Sequence, residues 1–102
     1  MNKIILQSII DNITMFFGVS QSDIFSGKKD TDTMELKQLF FYVCNKKGIP
    51  VASIQRFLQS NDYSIHHSNI VRGIKRMNEK VEDNQTYQDI VRVVELTNIN
   101  AH

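Results

Sequence analysis

An all-α fold of about six helices, with a helix-turn-helix at its centre, is what this sequence predicts. Apolar residues recur at three- and four-residue spacing through most of the chain, and one proline and four glycines leave little material for hairpins or repeats. The breakers that are present, Gly18, Gly48 and Pro50, fall at the edges of the periodic stretches. A chain of 102 residues with 41% hydrophobic and 23% charged residues has the composition of one globular domain, residues 1–102.

The first helix is expected over Lys3 to Phe17, where Leu6, Ile9, Ile10, Ile13, Phe16 and Phe17 share a face and Gly18 supplies the stop. Ser20-Gln21-Ser22-Asp23 then sets a hydroxyl three residues before a carboxylate, a capping-box start for a short helix carrying Ile24 and Phe25. Ser26 to Asp32 has no hydrophobic period and reads as an exposed loop.

A third helix is expected from about Thr33 to Lys47, with Leu36, Leu39, Phe40, Val43 and Cys44 inward and Gly48 as its terminator. Phe41 and Tyr42 widen that apolar surface, so this helix is the one contacted from several sides, and its aromatics read as core rather than as a stacking platform. Cys44, the sole cysteine, reads as a buried small hydrophobe. Pro50 suits the first turn of the next helix, about two turns long, whose stripe is Val51, Ile54, Phe57 and Leu58.

Gln59 to Ser64 is a polar joint in which Ser64 is the expected N-cap of a fifth helix. Ile70, Ile74, Met77 and Val81 keep that helix going for about four turns, and the helix-turn-helix therefore spans about residues 51–82. Gly73 in its middle costs helix stability and points to close approach by another helix. After Asp83-Asn84, Tyr87, Ile90, Val91 and Val94 define a last amphipathic helix, and Asn98 to His102 read as frayed.

The net charge of +1 hides an uneven distribution. Residues 28–80 carry +5, residues 1–27 carry −1 and residues 81–102 carry −3, so a polyanion would be drawn to the middle of the chain. On the fifth helix, a rotation of about 100° per residue sets Ser68, Arg72, Lys75 and Glu79 opposite the core stripe, flanked by His67, Asn69 and Arg76. Arg can fork onto guanine, Asn can pair with adenine, and Ser or His can meet a base edge or a phosphate, which suits a recognition helix entering a major groove by its N-terminal end. His66 projects nearer the core side, where it is either a packed or capping histidine or a base reader.

Two stretches carry a resemblance. Ser26-Gly27-Lys28-Lys29 leads into Leu36-Lys37-Gln38-Leu39, and His66-His67-Ser68-Asn69-Ile70-Val71-Arg72-Gly73 is followed by Lys75-Arg76-Met77. In this pattern, and over roughly Ile10 to Leu96, the sequence resembles the C-terminal DNA-binding domain of the bacterial chromosomal replication initiator DnaA, a Trp-repressor-like helical module. That family has a basic loop before a long helix with an Arg-Gln pair, and the signature Asp-His-Thr-Thr-Val-Leu-His-Ala on its recognition helix. The resemblance implies Lys29 in a minor groove, Lys37 and Arg76 on phosphates, and His67, Ser68 and Asn69 on bases and thymine methyls, with Arg72 replacing a second histidine. The sequence departs from the pattern at His66 and Ile65, which replace an aspartate and an arginine, and at Thr31 and Glu35, which replace basic residues. About four extra residues also separate Leu58 from His66.

The expected partner is therefore double-stranded DNA, with Lys28 and Lys29 at the minor groove or backbone and Lys37, Lys46, Lys47 and Arg76 on phosphates. Replication initiation or its regulation is the implied setting. The alternative is a diverged helical module that binds a protein, such as a replication or mobile-element factor. No Ser-His-Asp set, Gly-rich phosphate loop or carboxylate pair nominates a catalyst, and the adjacent His66 and His67 have no metal-ligand spacing. No enzyme activity, cofactor, metal or small-molecule substrate is expected. The longest apolar runs, such as Leu39 to Cys44, are too short to span a bilayer, and a cytoplasmic location is expected.

Overall fold

Helix α1 (Asn2–Phe17) buries Leu6, Ile9, Ile10 and Ile13, and Gly18 ends it with φ +68°. The chain is seen here in a computed structural model that describes residues 2–25 and 31–97. Its architecture is all-α, with six helices among those residues. The expected basic loop positions Lys28 and Lys29, and the expected frayed end Asn98 to His102, lie outside the described residues.

The short α2 (Gln21–Phe25) starts on a reciprocal capping box: Asp23 N–H donates to Ser20 Oγ at 3.1 Å, and Ser20 N–H donates to Asp23 Oδ2 at 3.4 Å. Helix α3 (Thr31–Lys46) begins two residues before the expected start at Thr33, so Thr31 and Asp32 belong to the helix and not to the loop. Both are exposed, which is why apolar periodicity does not register them, and the Asp32 carboxylate suits the positive end of the helix.

Pro50 stands at the N-cap of α4 (Val51–Ser60) rather than inside its first turn: its ψ of 148° is extended, and its carbonyl accepts from Ser53 N–H at 3.0 Å. The ten residues of α4 make nearly three turns, more than the two its apolar stripe suggested. Helix α5 (His67–Val81) follows a six-residue joint, and α6 (Gln85–Thr97) starts where Asn84 Oδ1 accepts from Tyr87 N–H at 3.0 Å.

All six helices contribute to one buried cluster, and α3 touches each of the other five. Every residue of α3 from Leu36 through Cys44 except Lys37 is buried, which makes α3 the central rod. Phe40 sits among the rings of Phe25, Phe41 and Phe57 at centroid distances of 5.7, 5.9 and 6.0 Å, so these aromatics are core. Cys44 is fully buried, and burial pushes its thiol well above the usual range, which makes it packing material and not a nucleophile.

Candidate nucleic-acid interface

The joint between α4 and α5 is held by tertiary contacts, and these decide where α5 begins. Tyr63 N–H donates to Leu58 O at 2.9 Å, Asp62 turns the chain with φ +63°, and Gln55 Nε2 donates across to Ile65 O at 2.9 Å. Ile65 packs partly against the core, so the joint passes Ser64 without entering the helix. The N-cap is His66 and not Ser64: its carbonyl accepts from Asn69 N–H at 3.0 Å, while its side chain makes no capping bond and is exposed. The projection of His66 toward the core is thereby corrected, because the residue precedes the helix and does not share its angular register.

From His66 onward α5 separates cleanly into two sides. Ile70, Gly73, Met77 and Val81 are buried, while His67, Ser68, Asn69, Arg72, Lys75 and Arg76 are all exposed. Arg72 Nη1 donates to Asn69 Oδ1 at 3.2 Å, one turn back, which holds the guanidinium along the N-terminal half of the helix. The side chains of His67, Ser68, Lys75 and Arg76 make no hydrogen bond among the described residues, so their polar atoms face solvent.

Gly73 lets this helix press onto α3. A Cβ there would stand 3.0 Å from Phe41 Cδ2 and 3.4 Å from Gln38 Cγ, so the close approach that its mid-helix position suggested is present. Beside the crossing lies a groove of about 500 Å³ whose lining includes Lys37, Tyr63, Asn69, Arg72 and Arg76 around Gln38 and Phe41. Lys37 Nζ donates to Tyr63 Oη at 2.9 Å, which steadies the ammonium at the groove. The crossing thus unites Lys37 of α3 with the basic and amide side chains of α5.

Lys46 and Lys47 do not join them. Nine residues beyond Lys37, at about 100° each, is half a turn round the helix, and Lys46 Nζ lies over the Tyr42 ring at 5.8 Å in a shallow depression shared with Arg92 of α6. Lys47 is half-buried in the turn that follows α3.

Glu35, one of the departures from the basic pattern of the resemblance, has a structural task. Its carboxylate accepts a short hydrogen bond from Tyr87 Oη of α6 and pairs with Lys80 Nζ of α5 at 3.1 Å. The Tyr87 hydroxyl chiefly, with Lys80 assisting, holds the Glu35 carboxyl below its usual value despite partial burial; burial and the Glu35 charge push the Tyr87 hydroxyl up. Lys80 is consequently engaged within the fold.

Sequence reasoning did not single out Gln38, Phe41, Tyr63, Ile65 or Met34 as site residues, yet they form the groove. The one signal in the sequence is Gln38, an amide within the otherwise apolar inner run of α3. Among the described residues no group of three or more His, Cys, Asp or Glu is placed to hold a metal, and no helix is long and apolar enough to cross a membrane. Compared with protein-family models, curated proteins and solved structures, the chain gives no match.

Proposed function

We propose that this protein binds double-stranded DNA, in the cytoplasm and in bacterial replication initiation or its regulation, in the manner of the DnaA-like module its sequence resembles. The observation that carries this reading is the outer side of α5: six polar or basic side chains, His67, Ser68, Asn69, Arg72, Lys75 and Arg76, exposed together and joined by Lys37. In this reading the N-terminal half of α5 enters the major groove, Ser68, Asn69 and Arg72 meet base edges, and His67 reaches a base or a phosphate. Lys37 and Arg76, which line the same groove, neutralise phosphates beside the helix, and Lys28 and Lys29 extend the contact to the backbone or minor groove. His66, exposed at the helix N-cap, lies beside the free N–H groups that attract a phosphate. Lys46 and Lys47 contribute only long-range attraction, because the fold turns Lys46 toward α6.

The test is a fluorescence-anisotropy titration against a random-sequence duplex pool at several salt concentrations. Saturable binding that weakens with salt by about 0.9 log unit per neutralised phosphate for each log unit of salt is expected. Lys37→Ala should weaken all duplexes alike and reduce that slope by about one contact, whereas Asn69→Ala and Arg72→Ala should change which duplexes are preferred. Uniform losses from both classes would remove the recognition-helix assignment. Absence of saturable binding at low salt would favour the alternative, a protein-binding module, for which the exposed Ile4 and Met15 of α1, at 75% and 76% exposure, provide apolar contact area.

A further inference from the structure

Gln38 Oε1 is buried without a hydrogen-bond partner, in a side chain only 9% exposed that lines the α3–α5 groove. A buried carbonyl with no donor is costly, and native proteins satisfy nearly all such atoms. The terminal amide torsion of glutamine is soft, so this group can turn to meet a donor presented from the groove. Phe41, Met34 and Ile65 give the groove apolar walls, and Gly73 leaves the α5 backbone bare beside Gln38. At the rim stand three cations, Lys37, Arg72 and Arg76. Lys37 uses one ammonium donor on Tyr63 and retains two, and Arg76 has no side-chain partner among the described residues.

We propose that this groove is a nucleotide site: it takes an aromatic base with an exocyclic amine and a phosphate. The flat base packs on Met34 and Ile65, the apolar side chains of the groove that are open to solvent, its amine N–H donates to Gln38 Oε1, and the phosphate is held by Arg72, Arg76 and Lys37. Three cations lining the groove favour a phosphate over a single carboxylate, since guanidinium forks and an ammonium together meet the several oxygens of a dianion. The groove volume of about 500 Å³ lies within the range of small-ligand sites. This goes beyond duplex binding, because it requires a base released from pairing, either in a free mononucleotide or in an unpaired nucleotide at the end of a strand. Arg72 and Arg76 serve both readings, so a free nucleotide in the groove would compete with duplex.

The experiment is isothermal titration of the full chain with AMP, purine riboside monophosphate and inorganic phosphate, alongside a blunt duplex and the same duplex bearing one unpaired terminal adenine. AMP should bind at one site at least tenfold more tightly than either inorganic phosphate or the amine-free analogue, about the factor one hydrogen bond supplies. Gln38→Leu, which removes an unsatisfied buried atom and keeps the volume, should cost AMP about tenfold and leave the analogue unchanged. If the nucleotide comes from a strand, the overhang duplex will bind about tenfold more tightly than the blunt one and lose that margin in Gln38→Leu. Equal binding of AMP, analogue and phosphate, together with equal binding of the two duplexes, would overturn the proposal. The blunt-duplex arm reports on duplex recognition by itself, so failure of that reading is separable from failure of this one.

Discussion

At Gly73 two opposing effects meet in one side chain. Alanine would raise the intrinsic helix propensity of α5 by about 1 kcal/mol. Its Cβ would, however, stand 3.0 Å from the edge of Phe41, a ring itself only 2% exposed and packed 5.9 Å from Phe40. Overpacking of a core costs about 1–3 kcal/mol, and the Phe41 ring, in contact with Phe40, must shift by a few tenths of an ångström to admit the Cβ, so the clash outweighs the propensity gain. Gly73→Ala should therefore lower the urea midpoint, with a net loss of about 1 kcal/mol; an unchanged or raised midpoint would show that α3 and α5 can separate without cost. Gly73 was legible from the sequence because a glycine in mid-helix gives up stability, and close contact with a neighbouring helix is what offsets that loss. Gln38 stood out as the one amide in the apolar inner run of α3, but that its carbonyl is left without a partner was not legible, since this depends on what α5 sets beside it.

Helix ends and helix registers divide along the same line. The capping box of α2 and the stripe of α5 are set by neighbours in sequence, and both were readable. The start of α5 was not, because Gln55 and Tyr63 hold the joint by bonds that reach back to or from α4, and these override the local preference of Ser64 for an N-cap. The opposite placement of Lys37 and Lys46 on α3 follows from helical rotation alone, so a stricter projection would have separated them. Glu35 ties α3 to α5 and α6, and its effect on stability has a definite sign. With its folded pKa below the ordinary 4.5, it contributes stability that is present above that value and is lost as pH falls through the lower, folded value. Urea midpoints measured from about pH 6 down to about pH 3 should fall less steeply for Glu35→Gln than for the parent chain. Identical slopes would mean that the Tyr87 and Lys80 contacts do not persist in solution.

For the whole molecule, the question is whether one side of it meets a polyanion. The central basic segment and acidic ends were visible in the sequence, but charge along a chain does not say which cations share a face; the α3–α5 crossing decides that by bringing Lys37 to Arg72 and Arg76. The apolar groove beneath them was not legible, because its walls come from α3, the joint and α5 together. The most direct measurement is residue-by-residue mapping of amide chemical shifts while a short duplex is titrated into labelled protein. Changes should concentrate at Lys37 and over residues 66–76 and fade as salt is raised, with α6 and the outer side of α1 near Ile4 and Met15 unaffected. Changes confined to α1 or α6, or none at any salt concentration, would contradict the account.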